Sequence, residues 1–424
     1  MSSIDPVALR RELHRHPEPA WREFETTARI VDRLQQLDLD ALYVGPDAID
    51  GDNRLAVPDD AELERWYDRA RDAGADPDVL AQLEGGYTGA VAVIERGEGP
   101  TIGLRVDIDG LPREEADTDD HLPAAEGFRS ATGESMHACG HDAHAAIGIG
   151  ALEAVADDED FQGTLKVFFQ PAEEVIGGGK SMAKSEHIRD VDYLLATHVG
   201  LDHPTGTVVA GIEDFLAVRH LEATFTGEPA HAGAEPEAGR NAMQALGTAI
   251  QNAYAIPRNS DGPTRVNIGV VEGGTAANIV AEEISIVAEV RGQTTDLMRY
   301  MSDSVERVFE SAADMHDCEV EITIGAEAPS AASDDELREI VGSVAEGVDG
   351  VDTVVDAAGL GGSEDATFLM KEVQDNGGLA AYVGVGTDHP GGHHTATFDV
   401  DEPTIQHGID TLAGAIVEIA ETRP

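Results

Sequence analysis

Lysine is scarce in this chain: only Lys166, Lys180, Lys184 and Lys371 occur in 424 residues, and Lys plus Arg number 28 against 82 Asp plus Glu. The formal charge of −54 excludes a general nucleic-acid binder, because phosphate backbones are held by cationic side chains. Cysteine is limited to Cys139 and Cys318, too few for a disulfide framework in so long a chain. No apolar run approaches the roughly 20 residues of a membrane span. The opening MSSIDPVALRRELHRHPEP also lacks the apolar core of a signal peptide. A soluble cytoplasmic protein is expected.

Apolar residues make up 41% of the chain, and the acids are dispersed among periodic segments, so the charge does not read as disorder. An acidic surface whose few cations are mostly arginine suits a halophilic protein, because counterions in concentrated salt screen the carboxylates. The length calls for two domains or one large one, since single cores stop growing beyond roughly 250–300 residues.

Apolar spacing predicts helices between Pro6 and about Leu37, broken at His16-Pro17-Glu18-Pro19, and one or two acidic surface helices between Asp59 and Leu83. The β-rich runs Ala90 to Glu95 and Thr101 to Val106, separated by Arg96-Gly-Glu-Gly-Pro100, read as a hairpin. Beyond them come a helix from about Asp142 to Val155, strands Thr164 to Gln170 and Tyr193 to Thr197, and a helix near Gly179 to Lys184. This alternation argues for an α/β layer architecture with a largely parallel core.

From about Phe215 the order becomes strand, helix, strand, strand, helix, strand, ending near Ile324. That βαββαβ order is the signature of a ferredoxin-like unit, followed by an Ala/Ser/Pro-rich linker from Ala326 to Asp334. The expected organisation is a discontinuous α/β/α domain, residues 1–213 and 327–424, interrupted by an inserted ferredoxin-like domain, residues 214–326.

The densest polar cluster is Met136-His-Ala-Cys-Gly-His-Asp-Ala-His144, which opens into an apolar helix. Cys139 and His141 are suitable metal ligands, and Gly140 lets the backbone turn tightly enough for both to reach one centre. Asp142 is placed to cap the helix, and His144 to support a ligand from behind. A second feature, Val167-Phe-Phe-Gln-Pro-Ala-Glu-Glu-Val175, ends an apolar strand in adjacent carboxylates. Like charges there are costly unless something neutralises them, and a metal would. Adjacent side chains diverge, so one glutamate can ligate while the other serves a water as general base.

His198 ends the apolar run from Val191, and His393 and His394 lie in Gly391-Gly-His-His-Thr-Ala-Thr-Phe398. Cys139, His141, Glu174, His198 and one of His393 or His394 give about five ligands, too many for one tetrahedral zinc. A two-metal site is the economical reading.

HACGHDAH, FFQPAEE, GSEDATF and the opening RRELHRHPE resemble the M20 metallopeptidases and amidohydrolases, especially the branch of aminoacylases and auxin-conjugate hydrolases. THVGLDHPTGTVVAG, EPAHAGAEPEAGRNA, VNIGVVEGGTAANIV, GHHTATFDVDE and the acidic insertion at about 50 to 85 are similar to its group of aminobenzoyl-glutamate hydrolase subunits.

The resemblance implies two divalent ions, Mn²⁺ or Zn²⁺ with Co²⁺ or Ni²⁺ as options, held by bridging Cys139 and by His141, Glu174, His198 and His394. His394 is preferred to His393 because the family pattern places Phe four residues after the ligand, here Phe398. The resemblance makes Glu173 the catalytic base and the inserted domain a lid and dimerisation domain. There His231 serves the oxyanion, often across a dimer interface, while Asn278 and Arg291 hold the substrate carboxylate. Asp107 stands where other branches have a ligand histidine, and Asp109 would orient a ligand. Ala281 departs from a common N-x-x-P pattern after Asn278.

The implied reaction is hydrolysis of an N-acyl amino acid by a homodimer or with a related second subunit. A general aminoacylase, carboxypeptidase or auxin-conjugate-type hydrolase is the alternative. A non-catalytic metal-binding partner subunit is the alternative of another class.

Overall fold

Pro6 sits in the first turn of helix α1 (Pro6–His14), and the Asp5 carboxylate accepts hydrogen bonds from the Val7 and Ala8 amides, so a capped start is written locally. The computed structural model describes residues 5–422; residues 1–4 and 423–424, at the ends of the expected α/β domain, lie outside them. Helix α2 (Phe24–Leu34) buries Phe24, Ala28, Ile30, Val31 and Leu34 along one stripe. Strand β1 (Ala41–Val44) precedes the acidic insertion.

The insertion forms two helices, α3 (Asp60–Asp72) and α4 (Pro77–Leu83), each capped by an aspartate, Asp59 or Asp76. They keep their acids outside and bury Leu63, Trp66 and Ala70 from one helix, Val79, Leu80 and Leu83 from the other.

The chain continues through β2 (Ala90–Arg96), β3 (Thr101–Asp107), the short α5 (Leu122–Ala125), α6 (His141–Asp157), β4 (Gly163–Gln170), α7 (Gly179–Ala183), β5 (Tyr193–Val199), β6 (Thr207–Val209) and β7 (Ile212–Glu213). The inserted segment holds β8 (Ala217–Thr226), α8 (Ala242–Tyr254), β9 (Thr264–Gly273), β10 (Glu283–Gly292), α9 (Thr295–Met315) and β11 (Glu319–Ala328). The rest comprises α10 (Asp335–Ala345), β12 (Thr353–Val355), β13 (Ala358–Gly359), α11 (Ala366–Asp375), β14 (Leu379–Val385) and α12 (Pro403–Thr422).

Two compact units result. Residues up to Glu213, Ala331–Leu360 and the chain from Glu364 form one; Asp214–Ser330 with Gly361–Ser363 form the other.

The first unit is built on an eight-stranded sheet in the order β1-β2-β4-β3-β5-β14-β6-β12. Strands β4, β3, β5 and β14 run parallel at its centre. This corrects one expectation: β2 and β3 are not a hairpin. Strand β4 lies between them, antiparallel to β2 and parallel to β3. Both runs are apolar on both faces, the mark of interior strands. The Gly-Pro link carries the chain across β4, and the Thr164 amide donates to the Pro100 carbonyl at 3.0 Å. Helix α6 is buried on every side from His141 to Ile149 and packs on α1, α12 and β3. Its Ala143, Ala145, Ala146 and Gly148 permit the close approach.

The second unit has an antiparallel sheet in the order β11-β8-β10-β9, which bears out the ferredoxin-like reading. Strand β10 buries alternate residues Ile284, Ile286, Ala288 and Val290. Against that face lie Ala245, Leu246 and Ala249 of α8 and Met298, Met301, Val305 and Phe309 of α9.

Candidate active site

The carboxyl ends of parallel strands are where α/β sheets gather ligands, and four chain segments converge there in the first unit. Strand β3 leads to Asp107 and Asp109, β4 to Glu173 and Glu174, and β5 to His198. The Cys139–His141 loop supplies the start of α6.

Gly140 adopts φ 87°, a left-handed conformation that glycine reaches without steric cost. A Cβ there would fall 2.5 Å from Val199 Cγ2. Gly140 is therefore the N-cap of α6, which corrects the expectation that Asp142 caps it. Asp142 lies inside the first turn, drawn into a buried ion pair with Arg10 at 2.7 Å and a hydrogen bond from His14 Nδ1 at 2.8 Å.

The tautomers follow from the partners. His141 donates from Nδ1 to Asp109 Oδ1 at 3.1 Å, leaving its buried Nε2 without a hydrogen-bond partner. Glu174 Oε1, 3.8 Å away, is equally unpartnered. His198 donates from Nδ1 to the Val199 carbonyl at 2.7 Å, and its Nε2 lies 3.3 Å from Cys139 Sγ. Cys139, His141 and Glu174 bring one ligand atom each within 4.8 Å of one another, and Cys139, His198 and His393 do the same. Cys139 is common to both groups.

The two neighbouring histidines part company. His393 joins the Cys139–His198 group, whereas His394 Nε2 lies 3.4 Å from Glu174 Oε2. His394 is half-exposed and holds φ 60°. Ala172 and Ile176, which flank the glutamate pair, hold φ 56° and 55°. Left-handed non-glycine residues cost about 1–3 kcal/mol each and cluster where geometry is imposed by function. His144 has both nitrogens engaged, donating to Asp107 and accepting from the Val199 amide.

Six carboxyl groups crowd this pocket: Asp107, Asp109, Glu173, Glu174, Glu364 and Asp365. Arg105 is the buried cation among them, 2.7 Å from Asp107 and 3.3 Å from Asp365. Burial, with Glu364 and Asp365 beside it, pushes Glu173 well above the usual carboxylate range, and burial raises Glu174 to about 8. Burial opposes the charge on Asp107, yet His141, His144 and Arg105 hold it well below its ordinary value. Burial works against protonated His141, but Asp107 and Asp109 raise it to about 10. Burial and the neighbouring glutamates push the Cys139 thiol up. A buried acid cluster with one arginine and with unpartnered ligand atoms converging on it fits divalent cations.

Glu364, Asp365 and Gln170 join the cluster without standing out in the sequence by residue type. Glu364 shares a side-chain hydrogen bond with Glu173. Asp365 accepts from Gln170 Nε2 at 2.6 Å and from the Gly179 amide at 2.7 Å. Both acids lie in GSEDATF and Gln170 in FFQPAEE, the segments that carry the family likeness. A cavity of about 270 Å³ opens beside the cluster, lined by Cys139, His198, Glu364, His393 and His394 among others.

In the inserted unit, His231 is exposed, and its Nδ1 accepts from the Gly233 and Ala234 amides, both at 3.1 Å. The proton is thereby fixed on Nε2. Asn278 is exposed beside it, since the Ala232 amide donates to the Asn278 carbonyl and His231 bridges Ile279. Arg291 is not brought to this pair. It lies near the far end of β10, eight residues beyond Glu283 and thus about 27 Å along the strand. It forks onto Glu289 at 2.7 and 3.1 Å.

Residues 103–418 match the family described as peptidase family M20/M25/M40. The chain is 40% identical to an indole-3-acetyl-aspartic acid hydrolase of Enterobacter agglomerans, over 95% of this chain and 93% of that protein. It is 37% identical to a p-aminobenzoyl-glutamate hydrolase subunit of Escherichia coli, over 98% and 95%. An aminobenzoyl-glutamate utilization protein from Klebsiella pneumoniae superposes with a TM-score of 0.85 at 33% identity, covering 99% of this chain and 96% of that one. A dinuclear metal-binding M20 peptidase of Bacillus subtilis gives 0.67 at 25%, covering 98% of each. With the strand-end cluster already assembled from HACGHDAH and FFQPAEE, likeness at this length places the chain in peptidase family M20/M25/M40.

Proposed function

We propose that the chain is a metal-dependent amidohydrolase that cleaves the amide bond of an N-acyl amino acid, with an aromatic acyl group on an acidic amino acid as the leading substrate class. Two relatives with that kind of named substrate, matched over nearly the whole chain, support this reading. The observation that carries it is the pair of buried, unpartnered atoms, His141 Nε2 and Glu174 Oε1, converging beside Cys139 with Glu173 as neighbour.

Cys139, His141, Glu174, His198 and His394 are the proposed ligands of two divalent ions, with Mn²⁺ or Zn²⁺ the leading candidates; His393 is the competing choice for the last place. Ions held by these residues would supply Lewis acidity toward the scissile carbonyl and toward a water. Glu173 takes the proton from the attacking water and returns it to the departing amine, so the O–H proton lost on attack becomes the N–H of the product. Glu364, hydrogen-bonded to Glu173, holds that carboxyl in place. His231, with its proton on Nε2, is proposed as oxyanion donor, and Asn278 and Arg291 as groups that hold the substrate carboxylate.

His231 and Asn278 sit at the opposite end of β10 from Arg291, which supports the idea that two copies of the chain supply them. The edge strand β9 exposes Val270 and Val271, as a pairing surface would. The inserted unit is accordingly proposed as lid and dimerisation domain.

Purified chain, loaded with Mn²⁺, Zn²⁺ or Co²⁺, is assayed against N-acyl amino acids. Hydrolysis of an N-aroyl glutamate or aspartate by the chain alone is expected. Full metal loading without turnover would favour a partner subunit instead.

A further inference from the structure

The geometry points to a separate acyl-group pocket, built between the acidic insertion and the ligand loop, that receives a flat, uncharged aromatic acyl group. This deepens the function proposed above and rests on it. A second cavity, of about 340 Å³, lies in the first unit and has Glu174 as one wall. It therefore begins at a proposed metal ligand, where the acyl side of the scissile bond would start. Its volume falls at the lower end of the range for small-molecule sites, about 300–1,000 Å³. An acetyl group would leave most of it empty.

The walls are mainly apolar: Pro19, Leu111, Pro112 and Val175, closed by Trp66 of α3. Apart from Glu174, the proposed metal ligand, the charged residues of the lining are two arginines and two glutamates that pair with one another. Glu62 pairs with Arg22 at 3.2 Å and with Arg65 at 2.8 Å, and Glu134 pairs with Arg65 at 3.0 Å. In a chain of net charge −54, a pocket whose acids beyond Glu174 are matched by arginines selects for a neutral occupant. The anionic amino-acid half must bind elsewhere.

The walls are also held in register with the chemistry. The Gly110 amide donates to the Glu18 carbonyl at 2.7 Å, and Leu111 and Met136 exchange backbone hydrogen bonds at 2.9 and 3.0 Å, three residues before Cys139. Trp66 Nε1 donates to Glu62 at 3.1 Å. Such preorganisation favours a rigid planar group over a flexible chain. The acidic insertion thus has a role its composition did not disclose: α3 supplies the aromatic wall.

Benzoate and acetate are titrated into the metal-loaded protein while tryptophan emission is followed, Trp66 being one of only two tryptophans. Saturable benzoate binding is expected, with acetate giving no comparable change. Leu111→Trp and Val175→Trp fill the pocket from different walls, and either one, shown folded by circular dichroism, should raise the benzoate Kd roughly tenfold or more.

In turnover, the kcat/KM ratio of N-(4-aminobenzoyl)-glutamate to N-acetyl-glutamate should fall at least about tenfold in the same variants. An unchanged benzoate Kd in both folded variants, or no saturable binding, overturns the pocket. Absence of hydrolysis of any N-acyl amino acid with benzoate binding intact overturns the proposed reaction and leaves the pocket standing.

Discussion

Asp109→Asn tests how the ligand set is held. Asp109 accepts two hydrogen bonds at once, from His141 Nδ1 at 3.1 Å and from the Glu174 amide at 3.0 Å, so one carboxylate orients two proposed ligands. An asparagine has a single oxygen, and its NH₂ would face one of those donors. If it faces His141, the imidazole is driven to the other tautomer and Nε2 carries a hydrogen where a lone pair is needed. Removing a support of this kind typically costs 10–100-fold in metal affinity, about 1.4–2.8 kcal/mol at 1.4 kcal/mol per decade. Metal-free protein is titrated with Zn²⁺ or Mn²⁺ in competition with a chromophoric chelator, for the parent and the variant. A weakening within that range is expected, with the far-ultraviolet circular dichroism preserved. Affinity unchanged within a factor of two would refute the view that Asp109 positions the ligands.

Arg10→Met removes the guanidinium paired with buried Asp142, 2.7 Å away, and it also abandons Asp399. Breaking a buried pair from one side costs about 3–5 kcal/mol, so the denaturant midpoint of the first unit should drop clearly; an unchanged midpoint would contradict the pairing. In the inserted unit, hydrogen bonds from His220 and Arg291 lower Glu289 to about 2 from an ordinary value of 4.5. Its contribution is therefore present above about pH 4.5 and fades as the pH falls toward 2. The melting-temperature gap between parent and Glu289→Gln should accordingly narrow over that window, and a constant gap would count against it. With 82 acids against 28 cations, repulsion of an anionic substrate should ease as salt screens it, so kcat/KM should rise with ionic strength. A salt-independent rate with an intact fold would show that the charge has no part in substrate encounter.

Much of the fold is legible in the residues alone. Apolar periodicity locates the long helices and strands as far as about Ile324, because α2, α9 and β10 each bury one face and their residues repeat accordingly. Beyond the linker only a resumed α/β pattern is legible, without the bounds of α10, α11 or α12. Strand pairing is less legible. β2 and β3 are apolar on both faces, so nothing in their composition reveals that β4 lies between them. The cap of α6 is misread because Asp142 is a good capping residue by type, while the left-handed turn at Gly140 and the buried Arg10, 132 residues before Asp142 in the chain, decide otherwise. Side-chain chemistry alone marks Cys139, His141, Glu174 and His198. It cannot separate His393 from His394, since both reach the cluster from one turn. It is silent on Arg291, whose place roughly 27 Å along β10 from Glu283 depends on where the strand begins.

The central claim is that Glu173 moves the proton in a metal-supported hydrolysis, and Glu173→Gln tests it most directly. The variant should keep stoichiometric metal and lose about four or more orders of magnitude in kcat, at or beyond the usual range for a general base because water activation is lost with it. Near-normal turnover with full metal content would contradict the account.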